Sequence, residues 1–183
     1  MSNTKQAKPK RLLSLFLALT MVLCLLPALG TTALAASGSG TEGDPYVVTD
    51  YDELRELLRS KTESDPTCYI KLGGDITDSS SRNNHKLSIH DGADIVLDLA
   101  GHSLTRSGST TDSYLFAVCG ASLTVNDSVG GGGITARTVA GGPYLTGAAI
   151  WVQNWSKSRL TVNGGTFAGG EYGIVTEGGT TVI

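Results

Sequence analysis

Four aromatic residues are the side chains best suited to binding a ligand: Tyr144, Trp151, Trp155 and Tyr172. Flat exposed rings stack on the C–H faces of sugars, so these residues are candidate carbohydrate-binding residues. Trp151 should point outward if Ile150 and Val152 point inward, because side chains alternate along a strand. The alternative is that Trp151 and Trp155 pack beneath a loop.

Three polar residues recur at one position of a repeated pattern. Asp98, Asn126 and Asn163 each directly follow a short β-type run. Stacked side chains of this kind hydrogen-bond to one another and to turn backbone, so we interpret them as a structural ladder. The alternative interpretation is a calcium site, for which several carboxylate oxygens would have to converge: Asp91, Asp94, Asp98 and Asp127.

Other reactive side chains lack the neighbours that catalysis or metal binding requires. The three histidines do not have metal-ligand spacing, and we expect them on exposed loops: His85, His90 and His102. Ser103 lacks the second glycine of a nucleophile elbow, and Glu171 and Glu177 have no feature that would raise a carboxyl pKa. We therefore predict no catalytic residue, no metal and no cofactor.

The first 35 residues have the composition of an export signal. A basic start precedes an almost wholly apolar run from Leu12 to Leu29, and Ala33-Leu34-Ala35 matches the small-x-small pattern of signal peptidase sites. We predict cleavage after Ala35. An uncleaved membrane anchor is the alternative, because the apolar run nearly suffices to span a bilayer.

Charge and cysteine content limit the partners of the exported part. The chain of 183 residues has a net charge of −3, but the signal holds four of its 14 basic residues and none of its 17 acidic ones, which leaves −7 for residues 36–183. Nucleic acid and anionic membranes attract dense Lys/Arg patches, so neither is an expected partner. Cys68 and Cys119 are expected to be separate thiols, although a disulfide in an oxidising compartment is the alternative.

One helix precedes a series of short β-type runs. Residues 36–43 have the composition of a flexible linker, and Tyr46-Val47-Val48 reads as a strand. Asp50 stands as an N-cap three residues before Glu53, and leucines follow at one-face spacing, so a short amphipathic helix is predicted to end near Ser60.

The β-type runs resemble one another, and many of the 24 glycines lie at the turns between them. Each unit is two short strands around a glycine-containing turn, and Leu97, Val125, Val162 and Val182 are taken as equivalent. A minimum repeat of about twenty residues with loops of variable length is typical of a solenoid. Arg106–Ser113 and Val129–Pro143 are interpreted as insertions. A sandwich or propeller is the competing fold.

The repeats resemble those of secreted right-handed β-helix proteins on Gram-positive bacterial surfaces, whose fold is similar to the pectate-lyase-like family. The runs that carry the resemblance are Tyr69–Thr77, Leu97–Thr105, Gly120–Val125 and Val162–Phe167. It implies a mainly β fold over residues 44–183: a right-handed, single-stranded parallel β-helix whose N-terminal end is capped by the short helix. The fold carries lyases, glycosidases, tailspikes and adhesins alike, so it implies no activity.

The expected function is that of a secreted or cell-surface, non-catalytic protein that displays loops for adhesion or carbohydrate binding, with polysaccharide or a host or cell-wall glycan as partner. A polysaccharide lyase or glycosidase fragment and a structural stalk are the alternatives. Because the sequence ends at Ile183 in the middle of a predicted strand, we expect the β-helix to continue beyond it or to self-associate end to end.

Overall fold

The computed structural model describes residues 36–82, 84–108, 114–137 and 147–183, which belong to one compact unit, Leu34–Ile183. A second unit, Met1–Ala33, and with it the predicted export signal, lies outside the described residues, as does Tyr144. The described part is mainly β.

Fourteen strands and one helix make up the described part of the chain. In chain order they are β1 (Tyr46–Val48), α1 (Tyr51–Arg59), β2 (Cys68–Leu72), β3 (Ile76–Asp78), β4 (Leu87–Ile89), β5 (Asp94–Asp98), β6 (Ser103–Arg106), β7 (Tyr114–Val118), β8 (Ser122–Asn126), β9 (Gly133–Ala136), β10 (Ala148–Val152), β11 (Arg159–Val162), β12 (Thr166–Ala168), β13 (Ile174–Thr176) and β14 (Thr180–Val182).

The strands form three sheets in which every recorded pairing between strands is parallel. Sheet A has the order β1-β2-β5-β8-β11-β14, sheet B the order β3-β6-β9-β12, and sheet C the order β4-β7-β10-β13. From β2 onward the chain visits A, B and C in turn and then returns to A. This arrangement confirms the predicted parallel β architecture and is compatible with a solenoid.

The core lies on the inward-facing sides of the three sheets. Side chains alternate along each strand, so one residue in two points inward and stacks on the equivalent residue of the next strand. In sheet C, Leu87 pairs with Phe116 and Phe116 with Ile150, and all three are fully buried. Sheet A continues the same core through stacked Ile, Leu and Val side chains.

The registers correct two details of the sequence interpretation. Leu97 pairs with Val125 and Val125 with Val162, as predicted, but Val182 pairs with Thr161 and not with Val162. Each repeat unit contains three strands and not two. The additional strand belongs to sheet B, which the sequence pattern did not predict. Its strand β9 lies inside the segment interpreted as an insertion, Val129–Pro143, whose residues 138–143 are outside the described ranges.

The predicted helix is confirmed as α1. The Asp50 side chain accepts hydrogen bonds from the backbone N–H groups of Asp52 and Glu53, and so satisfies donors that have no partner within the helix. Leu54 and Leu58 are fully buried in the main core, and α1 packs against β3 and β4. Its amphipathic face therefore has a partner surface.

The segment before β1, predicted as a flexible linker, makes regular backbone contacts. Ser39, Gly40 and Thr41 donate to the Asp44 carbonyl, and Tyr69 N–H donates to the Gly40 carbonyl at 2.9 Å. Gly40 is buried. These bonds join residues 37–44 to sheet A.

Candidate functional site

Trp155 lies at the turn between sheets C and A, and 54% of its surface is exposed. A Cβ added to Gly120 would lie 3.5 Å from Trp155 Cε3, so the indole rests close to the backbone of the preceding turn. Its ring centroid is 6.3 Å from that of His90, one turn further along the stack. We call Glu63, His90, Gly120, Trp155 and Lys157 the corner surface.

The loop that carries Trp155 is held at several points. The buried Ser158 hydroxyl accepts a hydrogen bond from Gly120 N–H at 2.8 Å, and Ser158 N–H donates to the Trp155 carbonyl. Lys157 Nζ lies 2.6 Å from Glu63 Oε1, and this hydrogen bond and the lysine charge lower the pKa of Glu63. The result is an exposed aromatic ring on an anchored loop that also carries Lys157, and Lys157 is paired with Glu63.

Trp151 has a different environment. Ile150 and Val152 are fully buried, so Trp151 lies on the outer face of β10, as alternation predicts. Its indole is half-buried in a separate apolar cluster and lies 4.5 Å, centroid to centroid, from the ring of Tyr114. Trp151 therefore packs against protein more than it presents a free face.

The predicted aromatic residues do not form one platform. Tyr172 is 47% exposed just before β13, and the structure records no ring contact that joins Trp151, Trp155 or Tyr172 to one another. Tyr144 lies outside the described residues. Trp155 is the member with both an exposed ring and polar neighbours.

The predicted ladder positions are in register. Asp98 pairs with Asn126, and Asn163 Nδ2 donates to Asn126 Oδ1 at 2.8 Å. Asp98 instead accepts from the backbone N–H groups of Ala100 and Ser128 and from the Ser128 hydroxyl at 2.7 Å. Its carboxylate thus connects turns of two successive strands of sheet A.

Asp98 should make stability depend on pH in acid. Burial acts to raise the pKa of Asp98, but the hydrogen bonds from Ser128 and Ala100 outweigh it and hold that pKa below its ordinary value of 3.8. A lowered carboxyl pKa contributes stability above the unfolded-state value, and this is lost as pH falls through the folded-state value. We expect Asp98→Asn to flatten the fall in the free energy of unfolding below pH 3.8.

Urea denaturation at pH values from neutral to below 3.8 would measure that slope. Glu171→Gln, which removes one negative charge from an exposed residue, is the matched control. An acid slope that is the same in Asp98→Asn and in the parent would contradict the prediction.

A polar network beneath α1, which the sequence did not predict, is buried except for the exposed Asp52 side chain. His85 Nε2 lies 2.7 Å from Asp52 Oδ1 and its Nδ1 lies 3.1 Å from Asp78 Oδ2, while Arg106 Nε lies 3.3 Å from the same Asp78 oxygen. His85 was expected to be exposed and is buried, with 8% of its side chain accessible. This polar network connects α1 to β3 and β6.

The half-buried Ser80 brings a serine hydroxyl close to the histidine ring of this polar network, the pairing used by serine nucleophiles. Ser80 Oγ lies 3.0 Å from His85 Nδ1. The same nitrogen faces the Asp78 carboxylate, which only accepts when ionised, so we assign the Nδ1 proton to the bond with Asp78. Burial acts to raise the pKa of Asp78, but hydrogen bonds from Ser80 and His85 outweigh it and lower that pKa. Nδ1 is therefore not placed to take a proton from Ser80.

Neither cysteine is arranged as a nucleophile. Cys68 and Cys119 are free and buried. Burial raises the pKa of both thiols, that of Cys119 to about 11. A thiol with a raised pKa has little of the thiolate that reacts.

The described ranges contain no group of three or more His, Cys, Asp or Glu side chains placed to hold a metal ion. The candidate calcium ligands Asp94 and Asp98 are engaged elsewhere, Asp94 with the Thr67 hydroxyl. No described helix has the length and apolar composition needed to cross a bilayer. Comparison with protein-family models, with curated proteins and with solved structures gave no match to the chain.

Proposed function

We propose that the protein is an exported, non-catalytic cell-surface protein in which a right-handed, single-stranded parallel β-helix displays loops that contact carbohydrate through the corner surface. Export is inferred from residues 1–35. The rungs, each a set of three successive strands with one in each sheet, are inferred from the repeat resemblance together with the three parallel sheets. The partner is a polysaccharide, either a host glycan or a cell-wall glycan.

The proposed right-handed coil, which the repeat resemblance implies, is supported by a general rule of chain geometry. Two parallel strands of one sheet that are joined by a crossover have a right-handed connection in about 98% of cases. From β2 onward, every step from one sheet A strand to the next passes through sheets B and C. We assign α1 as the cap of the first rung, because Leu54 and Leu58 continue the core beyond β3 and β4.

The observation that carries the carbohydrate assignment is the exposed, anchored ring of Trp155. Sugar binding through an aromatic ring needs one open face and a fixed orientation, because ordering a mobile side chain costs free energy on binding. Gly120 and Ser158 supply the support, His90 lies beside the ring, and the Lys157–Glu63 pair offers further hydrogen-bonding groups on the corner surface. The acidic and basic side chains of the polar network beneath α1 pair with one another, which favours binding over catalysis.

Replacing Trp155 by alanine should weaken polysaccharide binding at least about tenfold, the equivalent of about 1.4 kcal/mol. Affinity electrophoresis and calorimetry with bacterial and host polysaccharides would measure the change. Val129→Ala is the matched control, because Val129 is a 72% exposed apolar residue away from the corner surface. We expect parent affinity from this control.

The two tryptophans also allow a direct test. In a Trp151→Phe variant, Trp155 is the sole indole, so a bound sugar should shift its emission to shorter wavelength and protect it from acrylamide. If Trp155→Ala retains full affinity and Trp155 fluorescence does not respond, the corner surface is not the binding site. A parent protein that binds none of the polysaccharides would favour the structural stalk.

A further inference from the structure

A groove on the outer face of sheet A has no assigned role. It is lined by side chains of β2, β5 and β8 and by the segment before β1, and the side chains that matter here are Glu42, Pro45, Tyr69, Lys71, Asp98 and Asn126. We propose that this groove is a second sugar subsite, which takes a neutral hexose unit of the polysaccharide bound at the corner surface. The proposal rests on the proposed function.

Strand register gives the groove one apolar and one polar row. Tyr69 pairs with Val96 on the outer face, while Lys71 pairs with Asp98 and Asp98 with Asn126. Neighbouring strands are about 4.8 Å apart, so the polar row places the Lys71 amine and the Asn126 amide on either side of the engaged Asp98 carboxylate, at spacings comparable to the width of a hexose ring. The Tyr69 ring beside them offers an apolar face for sugar C–H groups.

Several polar groups in the groove are available to a ligand. Lys71 Nζ makes no hydrogen bond or ion pair with any described residue, although Lys71 is only half-exposed. Glu42 is exposed and likewise has no such partner in the described ranges. Asn126 accepts a hydrogen bond from Asn163 through its Oδ1. The Nδ2 group of Asn126 therefore remains as a donor for a ligand. Hydroxyl groups both donate and accept, so a sugar can satisfy all three.

The charge balance favours a neutral ligand over an acidic one. Two carboxylates, Glu42 and Asp98, face one ammonium, Lys71, in the groove. Residues 36–183 carry a net charge of −7, so the surrounding field also repels a polyanion. A neutral glucan or mannan meets no such repulsion.

The test compares the variant Tyr69→Ser/Lys71→Met with a matched double variant, Thr77→Ala/Thr105→Ala, on the outer face of sheet B. The probes are a neutral β-glucan, a neutral mannan, short oligosaccharides of each, and a polyuronate. For the neutral polymer that the parent binds, we expect the groove variant to lose about fivefold to tenfold in affinity, which is about 1 to 1.4 kcal/mol. The sheet B variant should keep parent affinity.

A second measurement uses the parent protein alone. Binding of the neutral polymer should slow backbone hydrogen exchange at residues 68–72 and 94–98. Loss of affinity in Trp155→Ala, with unchanged affinity and exchange at the groove, would overturn the second subsite and leave the proposed function standing. Preference for the polyuronate, or a parent that binds no polysaccharide, would overturn the subsite as well. A variant at the groove that weakens binding while Trp155→Ala does not would instead overturn the corner surface.

Discussion

Replacing Asp78 by alanine should lower the free energy of unfolding by about 3 to 5 kcal/mol, because removing one member of a buried ion pair leaves the other charge without compensation. Asp78 and Arg106 each retain 4% of their side-chain exposure. His85 lies on the opposite side of the same carboxylate and would lose its partner at Nδ1. Urea denaturation followed by circular dichroism would measure the loss.

Thr77→Ala is the matched control for Asp78→Ala. Thr77 is the exposed neighbour of Asp78 in β3 and points to the other face of sheet B, so its replacement should change stability by no more than about 0.5 kcal/mol. A second variant, Asp78→Leu/Arg106→Leu, removes both charges and should recover much of the loss, since apolar replacement of a whole buried pair is often neutral. Equal stability of Asp78→Ala and the parent would contradict the ion-pair interpretation.

Local sequence signals predicted the elements that depend on near neighbours. The N-cap at Asp50 and the spacing of Leu54 and Leu58 were sufficient for α1, because capping and one-sided burial are properties of a single turn or two. Alternation predicted the inward positions of Ile150 and Val152 in β10, and both are fully buried. Each of these inferences needed only residues close in the chain.

Sheet B escaped prediction because its inward positions are not uniformly apolar. In β3 the inward residues are Ile76 and Asp78, and in β6 they are Leu104 and Arg106. An aspartate and an arginine on the core side hide the period-two pattern of a strand. Only the register of β3 with β6, which places Asp78 opposite Arg106, shows that the two charges lie within reach of each other.

The burial of His85 was not predicted either, because it depends on contacts with residues distant in the chain. A histidine between asparagine and lysine in a polar segment reads as an exposed loop residue. Its burial depends on two residues of α1. Asp52 contacts the imidazole ring, and the Tyr51 hydroxyl donates to the His85 carbonyl at 2.8 Å. These partners are more than thirty residues away in the chain, so no local pattern identifies them.

Only the identity of the candidate binding residue could be predicted from the sequence, and its exposure could not. Composition identified Trp155 as a possible sugar-binding residue, but exposure decides which aromatic is available, and exposure is set by tertiary contacts. Trp151 packs against Tyr114, while Trp155 rests on Gly120. The groove could not be predicted, because Tyr69, Asp98 and Asn126 meet only through the registers of three strands.

Ile150→Ala should cost about 2 to 5 kcal/mol, since truncating a fully buried isoleucine loses its transfer free energy and leaves a cavity. Ile174→Ala is the matched control: Ile174 is the direct partner of Ile150 in sheet C, has the same side chain and is only half-buried. Its replacement should cost clearly less. Because each rung contacts only its neighbours, this difference measures how stability is distributed along the stack. Denaturation curves in which the two variants lose equal stability would contradict the burial described for this column of sheet C.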